Sequence, residues 1–198
     1  MKIHDISQEV FSCAVYPGDP APEKRTLCDM QRGELYNLTA FSMCAHNGTH
    51  IDAPCHFIAD GNGIDELALS SFVGLAYVAE CEGELVADDA EAILQSAKSA
   101  KNGAEKRILI KGGAVVTEAA AAVFAETGTL LIGVEGQTVG PEHAPMQVHK
   151  ILLGAGTVLL EGVRLRAVSA GACFLSAAPL MLAGADGAPC RAYVIELE

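Results

Sequence analysis

The amino-acid sequence predicts a single mixed α/β domain over residues 1–198, rich in strands and with a few short helices. Three observations support this fold class. A chain of 198 residues with 51% hydrophobic content can bury one sizeable core. Short apolar segments of the strand type outnumber helical ones. A strand–helix–strand succession near the middle of the chain predicts a parallel crossover unit.

A rigid turn is predicted at 16–22, where three prolines and a glycine exclude helix and central strand. The regular elements come after it in the sequence. Strands are expected at 38–45, 72–81, 107–111, 129–134, 157–160, 180–182 and 191–197. One helix is expected from Asp88 to Gln95, with acidic residues at its positive end. Another is capped by Thr117 and ends before Gly128, and 147–153 reads as a helical turn. The dipeptide Asp186-Gly187 is predicted as the last turn.

Composition limits the classes of partner and the compartment. A formal net charge of −12 argues against nucleic acid and anionic membranes as partners. Seven scattered cysteines without a C-x-x-C pair suggest reduced thiols rather than a disulfide framework. The N-terminus lacks the apolar stretch of a secretory signal, and the apolar segment 170–185 is interrupted by Pro179. These features predict a soluble cytoplasmic protein.

The segment 46–56 carries the strongest functional signal, with three of the six histidines of the chain. Its candidate site residues are His46, His50, Asp52 and His56. In an extended backbone alternate side chains share a face, so the last three would point to one side. Gly48 permits a bend that brings His46 toward the same point. Two histidines and a carboxylate suit Zn²⁺, Mn²⁺ or Fe²⁺ and leave coordination positions open for catalysis.

The same segment resembles the metal-binding motif H-x-G-T-H-x-D-x-P-x-H of the cyclase-like metal-dependent hydrolases, which include bacterial kynurenine formamidases and isatin hydrolases. Each fixed position of that motif is present. The turn 16–19, the elements 149–154 and 158–162, and the closing segment 186–192 resemble further family motifs. The resemblance therefore covers nearly the whole chain. It implies a swivelling β/β/α fold and assembly as homodimers or homotetramers, in which neighbouring subunits help to close the pocket.

The resemblance also implies a role for each site residue. His46, His50 and Asp52 would hold one metal ion, and Asp52 would bridge to a second ion held by His149 and Glu161. One or two Zn²⁺ ions are expected, with Mn²⁺ as the alternative, and no further cofactor. His56 would be the catalytic general acid and base, because a metal nearby keeps an imidazole from being strongly basic.

The reaction implied is metal-dependent hydrolysis of a small amide, as in an arylformamidase of tryptophan breakdown. Tyr16 and Phe57 are the candidate residues of the substrate pocket. Two features depart from the kynurenine formamidases: Tyr16 stands where those enzymes commonly carry Trp, and the stretch 135–139 differs from their Asp-Thr-Pro-Ser sequence.

Several alternatives stay open at this stage. The same site could serve a hydrolase or cyclase acting on another small cyclic amide, imide or lactone. The chain could instead be a non-enzymatic metal-binding module or a cysteine-based hydrolase. Cys44 and Cys55 are expected to be core thiols, and His4 and His143 match no ligand position. Arg191 is expected either to pair with an acidic group near the site or to cap a strand.

Overall fold

Short strands dominate residues 1–197, the part of the chain that this computed structural model describes. The strands are β1 (Ile3–Asp5), β2 (Glu23–Cys28), β3 (Leu38–Ser42), β4 (His50–Asp52), β5 (Val73–Glu80), β6 (Glu84–Leu85), β7 (Arg107–Lys111), β8 (Val115–Val116), β9 (Leu131–Val134), β10 (Val158–Glu161), β11 (Gly171–Ser176), β12 (Gly187–Pro189) and β13 (Tyr193–Glu196). The α-helices are α1 (Leu69–Phe72), α2 (Ala87–Ala100), α3 (Glu118–Glu126) and α4 (Met146–Gly154). Single 3-10 turns span Val10–Ser12, Met30–Arg32, Pro54–His56, Ile64–Glu66 and Ala104–Lys106.

Within the described residues, nine of the strands form one mixed sheet in the order β1-β13-β11-β5-β7-β9-β10-β4-β12. Strands β5, β7, β9 and β10 are parallel neighbours, while the flanking strands pair antiparallel. Because α2, α3 and α4 connect the parallel strands in turn, the single crossover unit predicted from the sequence is one of three. Strands β2 and β3 form a separate hairpin, and β6 pairs with β8. The predicted strand-rich mixed α/β domain is thus confirmed.

The core lies on both faces of the sheet, as the alternation of side chains along its strands requires. Ile108 and Ile110 of β7 pack with apolar residues of α2, α3 and α4, such as Phe124, whereas Leu109 belongs to a second cluster on the opposite face. In β10 the same alternation places Leu159 with the helices and its two neighbours in the second cluster. The next residue, Glu161, therefore points toward the helical layer.

Several elements differ from their prediction. The predicted helical turn at 147–153 is a full helix, α4, and α2 extends five residues beyond Gln95. The predicted strand 180–182 is wrong: these residues form no regular element, and Met181 is 84% exposed. The predicted turn at 186–187 ends earlier than expected, because Gly187 already begins β12.

Across residues 1–197, each helix falls short of the length and apolar character that a bilayer crossing demands.

Candidate metal centre

Cross-strand pairing brings His50, Asp52 and Glu161 together on one face of the sheet. Strand β4 pairs antiparallel with β10, and His50 lies directly opposite Glu161 in this register. Directly opposed residues share a face, and Asp52, two residues beyond His50, shares it as well. The residue between them, Ile51, points into the core on the other side. The three polar side chains consequently face the layer that contains α4.

The fourth buried ligand candidate, His149, comes from α4. This helix buries Val148, His149, Leu152 and Leu153, which recur at helical spacing and form its sheet-facing stripe. A histidine in an otherwise apolar stripe lies over Glu161 at the end of β10, with Nε2 at 3.3 Å from Oε1. His149 and Glu161, which are distant in sequence from the segment 46–56, therefore lie next to it in the structure.

These side chains form two triads of potential metal ligands that share Asp52. One consists of His46, His50 and Asp52, and the other of Asp52, His149 and Glu161. Nε2 of His50 lies 3.3 Å from Oδ1 of Asp52, and Nε2 of His149 lies 3.5 Å from Oδ2 of the same residue. Asp52 thus presents one oxygen to each triad, the arrangement of a bridging carboxylate.

Backbone carbonyl groups fix the orientation of the two buried imidazoles. Nδ1 of His50 lies 3.1 Å from the carbonyl oxygen of Gly48, and Nδ1 of His149 lies 2.8 Å from that of Pro145. A carbonyl oxygen only accepts, so each Nδ1 carries the hydrogen and donates it. Each Nε2 then faces carboxylate oxygens, and such a contact is repulsive unless a proton or another cation lies between them.

The electrostatics of the cluster favour a cation. Burial lowers the pKa of His50 and His149, but hydrogen bonds and charge from Asp52 and Glu161 outweigh it and raise each to about 10. Burial likewise raises the pKa of Asp52, yet the histidines around it hold that pKa well below its usual range. In the described part of the chain, the ion-pair partners of Asp52 and Glu161 are histidines rather than lysines or arginines.

The donor set fits a divalent metal ion. Four ligands at about 2.0–2.1 Å from a tetrahedral zinc ion lie roughly 3.3 Å from one another. The separations of 3.3–3.5 Å between Nε2 of His149 and the oxygens of Glu161 and Asp52 match that spacing. His50 and His149 also donate a hydrogen bond from Nδ1–H to a backbone carbonyl, the support that metal-binding histidines usually have.

Small and hydroxylated residues between the ligands hold the first motif in its path. Gly48 has φ +67°, and a Cβ there would lie 2.9 Å from Cβ of Cys13, so a side chain is excluded. The hydroxyl of Thr49 accepts a hydrogen bond from the backbone N–H of Gln8 at 2.9 Å and donates one to the carbonyl of Gly162 at 2.8 Å. Thr49 therefore ties the segment to the end of β10.

His56 reaches the site by a route that differs from the prediction. The expected extended backbone through His56 is wrong, because Pro54–His56 form a 3-10 turn with proline in its first turn. The ring nevertheless stacks on His46, with centroids 4.1 Å apart, and remains about a quarter exposed. Burial lowers the pKa of His56, against the opposing charge of Asp52, so the imidazole is neutral at physiological pH.

A cavity of about 410 Å³ opens over the cluster. Both predicted pocket residues, Tyr16 and Phe57, line it, as do the six ionisable residues singled out from the sequence. The phenol of Tyr16 donates a hydrogen bond to the carbonyl of Glu142 at 2.9 Å and so links the early turn to the segment that precedes α4. Phe57 packs edge-on against His56, with centroids 4.5 Å apart.

The structure adds residues to the site that sequence reasoning gave no role. Asp19, Asp186, Gln137 and Thr138 line the cavity. In the sequence, Asp19 and Asp186 belong to segments that resemble family motifs, and Gln137 and Thr138 to the stretch that departs from the kynurenine formamidases. Oε1 of Gln137 and Oγ1 of Thr138 are buried atoms without a hydrogen-bond partner in the described structure.

Other residues considered from the sequence lie in different surroundings. Cys44 is not the expected core thiol, because it lines the cavity and its Sγ lies 3.7 Å from Oδ2 of Asp19. Cys55 is partly buried with its Sγ 3.6 Å from the carbonyl of Ala185. Arg191 pairs with Asp5 at the surface and not with the cluster.

Comparisons with known proteins agree with this geometry. A family model described as "Putative cyclase" matches residues 4–141, which include the segment 46–56. The kynurenine formamidase of Salinibacter ruber is 32% identical over 210 residues, covering 98% of this chain and 97% of that protein. A solved structure of a potential metal-dependent hydrolase with cyclase activity superposes with a TM-score of 0.83 at 26% identity, over 100% of this chain and 98% of that one. Isatin hydrolase A from Labrenzia aggregata shares the fold, with a TM-score of 0.84 at 22% identity over 100% and 94% of the two chains.

Proposed function

The chain belongs to the cyclase family, and on that premise we propose that it is a metal-dependent amidohydrolase of the arylformamidase type, which releases formate from N-formylkynurenine or a similar aryl formamide. The observation that carries the proposal is the pair of ligand triads sharing Asp52, with the partly exposed His56 beside them at the cavity. The 32% identity to a kynurenine formamidase supports the choice of substrate.

Five residues would hold the metal. His46, His50 and Asp52 would form one site, and Asp52, His149 and Glu161 the other, in accordance with the two triads. We propose Zn²⁺ as the ion, since the separations of 3.3–3.5 Å suit tetrahedral coordination, with Mn²⁺ as the alternative to be tested. A divalent ion held there supplies Lewis acidity, which polarises a carbonyl group and makes water a nucleophile near neutral pH.

His56 is the residue that would move protons. Its ring is neutral, partly exposed and lines the cavity, so it can take a proton from the attacking water molecule and give it to the departing nitrogen. Formamide and water then yield formate and an aryl amine, and no protein nucleophile enters the reaction. The stacking on His46 and the edge contact with Phe57 restrict the ring to a narrow range of orientations.

The cavity suits a small aromatic substrate. Its volume of about 410 Å³ lies within the range of small-molecule sites. Tyr16 and Phe57 provide aromatic surfaces for an aryl ring, and Gln137 and Thr138 add polar side chains to the cavity lining. We propose that the stretch around these two residues discriminates among substrates, because it is also the stretch that departs from the kynurenine formamidases.

A substrate panel tests the proposal. Purified protein loaded with Zn²⁺ or Mn²⁺ is assayed with N-formylkynurenine, formanilide, isatin and a cyclic imide. We expect release of kynurenine with kcat/KM above about 10⁴ M⁻¹s⁻¹. Turnover of isatin or the imide in its place would favour the alternative of a hydrolase or cyclase for another small cyclic amide, imide or lactone.

A variant of His56 separates an enzyme from a metal-binding module. His56→Gln keeps a polar side chain of similar length but cannot exchange protons, so we expect kcat to fall about 10²- to 10⁴-fold with the metal content unchanged. His143→Gln, at an exposed position with no contact to the cluster, is the matched control. Resistance of the activity to thiol alkylation would exclude the cysteine-based alternative.

We also propose that the chain assembles as a homodimer or homotetramer. The hairpin of β2 and β3 lies apart from the main sheet and exposes large apolar side chains, including Leu35 at 92%, Met30 at 58% and Phe41 at 57%. A second copy of the chain would cover this surface. Light scattering during gel filtration measures the assembly, and Phe41→Lys should shift it toward the monomer.

The proposed compartment is the cytoplasm. Within residues 1–197 the seven cysteines are free thiols, in keeping with a reducing environment.

A further inference from the structure

One carboxylate oxygen reaches two histidines of the site. Oδ2 of Asp186 lies 3.0 Å from Nε2 of His46 and 3.2 Å from Nδ1 of His56. An ionised carboxylate only accepts hydrogen bonds, so both nitrogens carry a hydrogen and donate it to Asp186. Because the two rings are stacked with an interplanar angle of 28°, a single oxygen at their edge can hold both.

The position of Asp186 is fixed by the backbone around it. Its carbonyl accepts a hydrogen bond from the N–H of Ala53 at 2.9 Å, and Gly187 pairs with Asp52 in the register of β12 and β4. A Cβ on Gly187 would lie 2.8 Å from Cε1 of His46, so only glycine lets this strand come so close to the ring. The carboxylate is therefore held beside the histidines rather than being a mobile surface group.

From these contacts we propose that Asp186 is a positioning residue for His56. Its carboxylate keeps the proton on Nδ1 and leaves Nε2 as the nitrogen that meets the substrate. The inference rests on the proposed function, in which His56 moves the proton. It assigns Asp186 a task distinct from that of the five proposed ligands.

The chemical reason is the tautomerism of imidazole. A neutral histidine carries its hydrogen on either nitrogen, and only the Nδ1–H form has a lone pair on Nε2 that can accept a proton from water. An acceptor fixed beside Nδ1 stabilises that form and also the imidazolium ion that follows proton uptake. The same principle governs carboxylates that orient catalytic histidines in hydrolases.

The contacts favour hydrogen bonding over metal ligation by Asp186. Nδ1 of His46 lies 2.8 Å from Oδ1 of Asp52, within the first triad. If Asp186 also held a metal against Nε2 of His46, that ring would bind cations through both nitrogens and would have to lose its last N–H proton. Donation of Nε2–H to Asp186 requires no such loss and supports His46 as a ligand through Nδ1.

Asp186→Asn tests the proposal, because it keeps the size of the side chain and removes its charge. In zinc-loaded, ¹⁵N-labelled protein, long-range ¹H–¹⁵N spectra report the tautomer of each histidine, and the His56→Gln variant identifies the signals of His56. We expect the Nδ1–H form of His56 to predominate in the parent protein and to lose population in Asp186→Asn. At saturating zinc, kcat should fall about 10- to 100-fold while KM changes little.

Two further variants complete the design. Asp186→Glu restores a carboxylate at a half-exposed position with room for one more methylene group, so the tautomer and part of kcat should return. Asp65→Asn is the matched control, because Asp65 accepts a hydrogen bond from the N–H of Gly184 at 2.8 Å and so contacts the same loop without touching either histidine. It should leave both measurements unchanged within about twofold.

Two results would overturn the proposal. One is an unchanged tautomer of His56 in Asp186→Asn. The other is the loss of a zinc equivalent, with activity restored by excess zinc, which would make Asp186 a ligand. The spectra need no substrate, so they test the positioning role even if the protein hydrolyses none of the formamides, and the two failures are distinguishable.

Discussion

Replacing Glu161 by glutamine should remove one of the two proposed metal sites and leave the other. Glu161 belongs to the triad of Asp52 and His149 but not to that of His46, and its Oε1 accepts a hydrogen bond from the N–H of Val139 at 2.8 Å. The glutamine oxygen can keep that hydrogen bond. The neutral amide lacks the negative charge of the carboxylate and is therefore a much weaker metal ligand. We therefore expect the zinc content to fall from two equivalents to one with the fold intact.

The size of the effect on stability follows from linkage. An ion present at about 1,000 times its Kd contributes ~4 kcal/mol to the free energy of unfolding. For a chain of this length each kcal/mol raises the unfolding temperature by about 2–4 °C, so one site corresponds to about 8–16 °C. The rise on zinc loading should be roughly twice as large in the parent protein as in Glu161→Gln. In the metal-free state the variant should be less stable than the parent protein, because His50 and His149 lose a buried charged partner.

Elemental analysis of the purified protein, with calorimetry before and after metal removal, measures both quantities. Glu142→Gln, at an exposed position outside the cavity lining, is the matched control. If Glu161→Gln bound as much zinc as the parent protein and gained the same increase in unfolding temperature, the assignment of Glu161 as a ligand would be wrong. If the variant lost all of its zinc, the assignment of two separable metal sites that share Asp52 would be wrong.

Three further substitutions test the supports around the site. Gly187→Ala places a methyl group 2.8 Å from Cε1 of His46, so it should lower the free energy of unfolding by about 1–3 kcal/mol and weaken zinc binding. Calorimetry and zinc titrations that match those of the parent protein would contradict this expectation. Thr49→Val leaves the partly buried N–H of Gln8 without its acceptor, so urea unfolding should show a loss of about 1–3 kcal/mol. An unchanged midpoint would disprove the bridging role. Tyr16→Phe removes the hydrogen bond that ties this cavity-lining side chain to the segment before α4, so KM should rise severalfold at constant kcat. A loss confined to kcat would place the phenol in the chemistry.

Much of the central sheet was predictable because its strands are short, apolar and bounded by clear breakers. The predicted strand 107–111 coincides with β7, and Thr117 caps α3 by accepting from the N–H of Ala120 at 3.3 Å. The errors concern segments whose structure depends on distant partners. Strand β12 exists because it pairs with β4 across the metal-binding segment, and its sequence Gly-Ala-Pro has no intrinsic preference for a strand.

The residue types of the site were visible in the sequence, but their arrangement was not. The motif from His46 to His56 identified its own members through spacing and resemblance. Glu161 and His149 join them because of the register of β4 on β10 and the packing of α4. Patterns in a single sequence do not encode these pairings. Asp186 had no signal beyond its motif, because its contacts form across 130 or more residues.

The most direct test of the central claim is the hydrolysis of N-formylkynurenine by protein stripped of metal and then reconstituted with Zn²⁺ or Mn²⁺. We predict that the stripped protein is inactive and that kynurenine release returns in proportion to the metal bound. Full activity in protein shown to be free of metal, or no hydrolysis of any amide in protein shown to hold it, would contradict a metal-dependent amidohydrolase.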